Sequence, residues 1–243
     1  MSPRRLLAPT CAALALAAAL PTSAGAVGAS ARYQVSIQGE VKETWNYSEN
    51  SDGYACEPRH EGNGTATARF ASPGSHKLRF HTEHGIRGRV PVNVTVQRNG
   101  ARRSFYRDPE CGRNDRVSDN SGCGTVAYRA RAGGFGIQGR SFGFGIAGDR
   151  DRWNGKCPVA EDPLPKYDLD PLAMLHPEYG PRLRTRKLVG KLFHPRRKRW
   201  VLRHTKRVVL PYTRSEFGGV LGGQYVAEIA WTVTFRRVSR VKF

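Results

Sequence analysis

Polar and apolar residues alternate with a period of two over most of this chain. From Arg32 to Tyr47 every even position is polar, while Tyr33, Val35, Ile37, Val41, Trp45 and Tyr47 fill six of the eight odd positions. A period of two puts alternate side chains on opposite faces of an extended strand, so this stretch predicts a long strand with one buried face. Gly39 interrupts the apolar row, and a glycine inside a strand predicts a kink or bulge. Glu43 also stands on the apolar parity, between Val41 and Trp45.

Further strands follow. Ala66, Ala68 and Phe70 alternate with Thr65, Thr67 and Arg69, and Leu78 and Phe80 alternate with Lys77 and Arg79. Val90, Val92, Val94 and Val96 form another apolar row. Between these runs, Ser72-Pro73-Gly74-Ser75 predicts a type II turn and Asn99-Gly100 a two-residue hairpin. Strands are also expected at Arg102–Tyr106 and Thr125–Arg131, as a glycine-rich pair over 134–147, and near 186–193 and 199–210. The last runs from Gln224 to about Val238, with Ile229, Trp231, Val233 and Phe235 on one face. No capped amphipathic helix of useful length is predicted. About ten strands of this kind predict an all-β fold, an antiparallel β-sandwich or flattened barrel with long loops. Six prolines between 158 and 181 break the alternation and predict an excursion wrapped over the surface. Residues 182–243 offer about three strands, too few for a separate core, so residues 27–243 are expected to form a single domain.

The first 26 residues read differently. Arg4-Arg5 precede an apolar run from Leu6 to Leu20, and Ala24-Gly25-Ala26 follow it. That order is the signature of a secretory signal, and the run is too short to span a bilayer. The mature chain is therefore expected to be secreted or extracytoplasmic, and not transmembrane. In that compartment Cys56, Cys111, Cys123 and Cys157 read as two disulfides with three possible connectivities. Their spacing lacks the close pairs of a zinc site. The residues between Cys111 and Cys123 read as a loop outside any sheet.

Several motifs match functional signatures without the context those signatures need. Gly134–Gly139 and Gly143–Gly148 both fit GxGxxG. That loop holds a pyrophosphate only between a strand and a helix N-terminus. Here Phe135, Ile137, Phe142, Phe144 and Ile146 alternate with small residues, which predicts a hairpin with one bare glycine face. Gly139–Gly143 fits GxSxG around Ser141, with Asp168, Asp170, His176, His194 and His204 following in hydrolase order. The nucleophile elbow needs a helix directly after the serine, and Phe-Gly-Phe-Gly starts one poorly, so Ser141 is expected in the hairpin turn. His81-Thr82-Glu83-His84 lacks the helical spacing of a zinc motif. Asp149–Gly155 departs from a calcium loop in its glycine position and carries two arginines. The terminal Phe243 does not extend a lipid-facing row, because Arg237 and Ser239 interrupt it. No metal and no cofactor are expected. Glu43 and Glu228, each on a strand beside aromatic residues, are the candidates for a glycosidase pair of acid and nucleophile or base. Their plainer role is to pair with basic side chains at strand edges.

Charge sharpens this picture. The chain carries 40 Lys and Arg against 20 Asp and Glu, formally +20. Residues 181–243 hold 17 basic side chains and only two acids, Glu216 and Glu228. Arg182, Arg184 and Arg186 on a strand would share one face. Arg196, Arg197, Lys198 and Arg199 follow Pro195 as a charged turn, and Arg203 and Arg207 lie in the next strand. Such a segment attracts polyanions through charge and counterion release. For an exported protein the expected partner is an anionic cell-wall polymer, a polysaccharide or a membrane surface. No nucleic-acid-reading motif is present, so sequence-specific recognition of DNA or RNA is not expected. The expected function is a non-catalytic module on such a surface. The alternatives are a carbohydrate-active enzyme using Glu43 and Glu228, and a structural protein of the envelope.

Overall fold

The structure, a computed structural model, describes residues 28–50, 58–82, 85–106, 110, 116–119, 125–138, 140–147, 171–194, 196–211 and 220–242. Among the described residues ten strands form one continuous antiparallel sheet, so the all-β architecture predicted from the alternation is the one observed. Its spine is β1 (Ser30–Asn50). One edge of β1 pairs with β10 (Val220–Arg237), which pairs in turn with β9 (Arg199–Pro211). The other edge pairs with two collinear strands, β2 (Pro58–Ala71) and β3 (His76–His81), and β3 then pairs with β4 (Gly85–Arg87). β2 passes the sheet on to β5 (Val90–Tyr106). The far edge of β5 is shared by β7 (Thr125–Gln138) and the short β6 (Arg116–Asp119), and β8 (Ser141–Ala147) ends the path as the hairpin partner of β7.

The apolar parity builds one core. Tyr33, Val35, Ile37, Val41, Trp45 and Tyr47 are all buried, as are the four valines that start β5. The sheet rolls until its ends meet on the inner side. Phe142 and Phe144 of β8 lie 6.1 and 5.4 Å from Trp231 of β10, although four strands separate β8 from β10 in the sheet. Phe144 also reaches Phe70 of β2 at 6.2 Å.

The sheet does not close: among the described residues β8 and β9 are not paired. Residues 171–183 fill the gap instead. A 3-10 turn, Pro171–Leu175, buries Leu172, Met174 and Leu175 in the core. A second turn, Pro177–Tyr179, follows it. The amide of Phe142 then donates to the Pro181 carbonyl at 3.0 Å, and that of Leu183 to the Arg140 carbonyl at 2.7 Å, which ties the segment to β8. On the other side, His204 Nε2 of β9 meets the Tyr179 carbonyl at 2.8 Å. The expected surface excursion is thus corrected for residues 171–181, because three apolar side chains there plug the open core. Residues 158–170 lie outside the described residues.

This staple carries a pH dependence. Burial holds the His204 imidazole below its ordinary pKa; the hydrogen bond to Tyr179 opposes that, and nearby Lys206 adds to it. The folded state then binds this proton less well than the unfolded chain. Stability from the site is complete above about pH 6.5 and is lost as the pH falls through the lower folded-state value. Between about pH 7.5 and 5, the thermal midpoint is expected to fall further in the parent than in a His204→Gln variant. Equal falls in the two proteins would remove His204 from this account.

Four local expectations are corrected. Ser72–Ser75 does not reverse the chain, since β2 and β3 run in the same direction along one edge of β1. The four residues form an outward loop anchored by the Ser72 amide on the Ile37 carbonyl (2.8 Å) and by Ser72 Oγ accepting from the Ile37 amide (3.0 Å). Asn99-Gly100 makes no hairpin either, because β5 runs straight through and both residues pair with β2. Gly100 lies opposite Gly64, and the Trp45 indole packs over both, so the glycine supplies space for a ring rather than a turn. Between Cys111 and Cys123, Arg116–Asp119 does enter the sheet, covering the part of β5 that β7 leaves unpaired. Finally, the strand expected near 186–193 is a helix, α1 (Thr185–Leu192). Leu188 and Leu192, one turn apart, are buried in the core, and the Tyr33 hydroxyl donates to the Leu192 carbonyl at the helix end. Burial pushes the Tyr33 phenol up to about 12, against the opposing charge and hydrogen bond of Arg237.

Candidate functional site

The polar parity of the strands forms the outer face of the sheet, and register aligns its charges. Residues directly opposite one another in antiparallel strands point to the same side, about 4.8 Å apart across the ladder. One row runs Arg199–Arg236–Gln34–Lys77 across β9, β10, β1 and β3. The next runs Arg32–Arg79–Arg87 across β1, β3 and β4. A third is Lys242–Ser30–His81, with Lys242 joined to Ser30 by an isolated bridge. Arg199, Arg236, Lys77, Arg32, Arg79, Arg87 and Lys242 are all exposed, and no acid stands in these rows.

Like charges set opposite one another weaken a sheet. At contact distance in water each such pair costs only about 1 kcal/mol, which the fold tolerates and a bound anion would offset. Farther along the same face, Glu40 introduces negative charge. Burial tends to raise its carboxyl pKa, but hydrogen bonds from Arg69 and Lys42 outweigh this and hold it below the usual value. Glu40 and Arg69 border a shallow depression of about 750 Å³, lined on the outer parity also by Gln38, Asn93, Thr95, Arg203, Thr205 and Thr232.

The sequence candidates divide among three places. Arg199, Arg203 and Arg207 stand on the outer parity of β9, where Arg207 lies opposite Glu228. Arg196, Arg197 and Lys198 are exposed in the connection from α1 to β9, and the Lys198 carbonyl accepts from the Arg237 amide at 2.7 Å. That bond sets the charged connection beside the row of Arg199 and Arg236. Arg182, Arg184 and Arg186 do not share a strand face. Arg182 bridges to Ser141, Arg184 precedes α1 and Arg186 belongs to its first turn. Sequence reasoning missed Arg32, Lys77, Arg79, Arg87, Arg236 and Lys242. Their polar parity was visible; the register that gathers them was not.

The two carboxylates lie apart. Glu43 pairs in register with Ala227, so the adjacent Glu228 points to the opposite face. Glu43 is buried on the inner side, where the Tyr225 hydroxyl donates to Oε1. It shares a cross-strand row with Ala66 and the buried Arg98, whose guanidinium lies 4.8 Å from the centre of the Trp45 ring. Glu228 is exposed, between Lys42 and Arg207 in register. Two carboxylates on opposite faces of one sheet cannot flank a glycosidic bond.

Ser141 begins β8 opposite Gln138, and a strand rather than a helix follows it. The described glycines of the two motifs, Gly134, Gly136, Gly143 and Gly145, likewise sit in β7 and β8. Among the described residues no group of three His, Cys, Asp or Glu side chains is placed to hold a metal ion, and no helix is long and apolar enough to cross a membrane. Residues 1–26, where a leader is expected, the expected disulfide cysteines Cys56, Cys111, Cys123 and Cys157, and Asp149–Gly155, Asp168, Asp170 and Phe243 lie outside the described residues. No protein-family model, curated protein or solved structure matches the chain.

Proposed function

We propose that this protein is an exported, non-catalytic module that binds an anionic extracytoplasmic polymer through the outer face of its sheet. The observation that carries the reading is the three acid-free rows, in which seven exposed cations from both ends of the chain meet on one face. A run of charge on a surface loop needs only solvent. Cations set opposite one another across β1, β3 and β4 are a structural cost that a densely charged partner removes. The signal-like order of residues 1–26 supports a partner outside the cytoplasm, and the depression beside the rows offers hydroxyl and amide groups, with Arg69 and Glu40 at its border, to a chain crossing the sheet.

The test is binding to polygalacturonate and to polyphosphate, with dextran as the uncharged control. The parent is expected to bind at least one of the anionic polymers and to ignore dextran. An Arg32→Ser, Arg79→Ser, Arg87→Ser variant is expected to bind at least about tenfold more weakly, a loss of about 1.4 kcal/mol or more. The matching variant at Arg182, Arg184 and Arg186 removes equal charge away from the rows and should lose much less. Equal losses in the two variants would show that net charge, and not the aligned face, is what the polymer reads.

A further inference from the structure

The β7–β8 hairpin contains two cross-strand glycine pairs, Gly133 with Gly145 and Gly136 with Gly143. Glycine in a strand forfeits side-chain packing and costs conformational entropy, so each position calls for a reason. At Gly143 the reason is internal: the backbone of His176 and Pro177 packs where a Cβ would stand. At Gly134 it is the backbone, with φ at +64° beside the bulge in the hairpin. Gly133, Gly136 and Gly145 have neither. Their φ angles lie outside the left-handed region. A Cβ on Gly145 would meet no described atom within 4 Å, and one on Gly133 would make an ordinary contact with the Arg89 stem at 3.4 Å.

An added Cβ on Gly136 would likewise make only an ordinary contact, with the Gly134 carbonyl at 3.8 Å, so these three glycines keep open a space that the described chain does not use. It belongs to a pocket of about 610 Å³ lined by both polar and apolar residues. Arg89 and Arg131 both border it and are exposed on the outer parity. Ile137 and Pro177 supply apolar wall, and Gln138 and His176 supply hydrogen-bonding groups. The pocket also adjoins the cationic rows, because β4 packs against β7 and Arg89 follows Arg87 by two residues.

We infer that this pocket receives one anionic sugar ring, with the C–H face of the ring on the bared glycine backbone and its carboxylate or phosphate between Arg89 and Arg131. A flat, side-chain-free floor suits a ring, and a pair of guanidiniums suits an oxyanion. The inference rests on the polymer-binding reading and deepens it: the cationic rows hold the chain, and the pocket takes one of its units.

The test uses single sugars on the full chain, followed through the backbone amide signals of Gly133, Gly136 and Gly145. Glucuronate and glucose 6-phosphate are the probes, with glucose and inorganic phosphate as controls. At least one probe is expected to shift these signals and to bind at least about tenfold more tightly than either control. Gly145→Val is the decisive variant, since valine suits a strand and its side chain would enter the unused space. It is expected to keep the parent's thermal midpoint and the salt dependence of polymer binding while losing the sugar. The inference is overturned if neither probe binds the parent, if inorganic phosphate binds as well as the probes, or if Gly145→Val still takes the sugar. A lowered thermal midpoint in Gly145→Val would also overturn it, because the space would then belong to the fold. Retained sugar binding in a parent that ignores anionic polymers would support the pocket and sink the polymer reading instead.

Discussion

Trp231→Ala is expected to destabilise the protein by about 3–5 kcal/mol, as the loss of a large buried aromatic side chain does. Trp231 is only 3% exposed. Its ring meets Phe142 and Phe144 from the far end of the sheet and His204 from β9 at 5.2 Å. No strand pairing closes the sheet among the described residues, so this ring is where its two ends hold each other. Truncation would leave a cavity at the centre of the seam, lined by stiff neighbours that cannot collapse into it. Urea denaturation should show the midpoint falling in proportion. A loss under about 1 kcal/mol would mean that the ends are held mainly by residues 171–183 and that the aromatic seam is incidental.

Gly39→Val is expected to destabilise by about 1–3 kcal/mol or more through overpacking. A Cβ at Gly39 would stand 2.5 Å from Phe70 Cζ, 2.7 Å from the Ala230 carbonyl oxygen and 2.7 Å from Trp231 Cβ. The ring could swing away, but the backbone oxygen on β10 could not without breaking the ladder. Gly74→Ala is the control: the site is exposed, its φ is not positive, and an added Cβ meets no described atom within 4 Å. There the substitution should be neutral or stabilise by about 0.4–1 kcal/mol through the unfolded state. If both variants behave alike, the packing explanation for Gly39 fails.

Gly39 also shows where the sequence could and could not be read. Alternation located β1 and its buried row, including Glu43, because period two is enforced residue by residue whatever the partner strands do. The glycine in that row predicted a kink. In the structure Gly39 pairs regularly on both sides, with Trp231 and with Phe70, and is small because the Phe70 ring, the Ala230 carbonyl and the Trp231 Cβ occupy its space. Asn99-Gly100 fails for the same reason, since Trp45 comes from β1, far away in sequence. Local turn chemistry is a preference of a few residues, and the long pairing of β5 with β2 overrides it.

The helix was hidden by a different ambiguity. Arg182-Leu-Arg184-Thr-Arg186 alternates for five residues, enough to read as a strand, and Arg184 at the helix start makes no capping side-chain bond that would signal otherwise. Leu188 with Leu192, and Val189 with Phe193, each one turn apart, carried the helical period. The candidate site was half legible. Charge counting pointed to the last 63 residues, but in the folded sheet Arg199 and Arg236 from that segment join Arg32, Lys77, Arg79 and Arg87 from the first half of the chain. Such a grouping depends on register, which a single sequence does not state.

The most direct test of the polymer-binding account is the salt dependence of that binding in the parent protein. Association with polygalacturonate or polyphosphate would be measured from about 50 to 200 mM salt, and log affinity plotted against log salt. Engagement of several of the seven aligned cations predicts a straight line with a slope steeper than about −3. A flat line, or no binding at the lowest salt, would contradict the account.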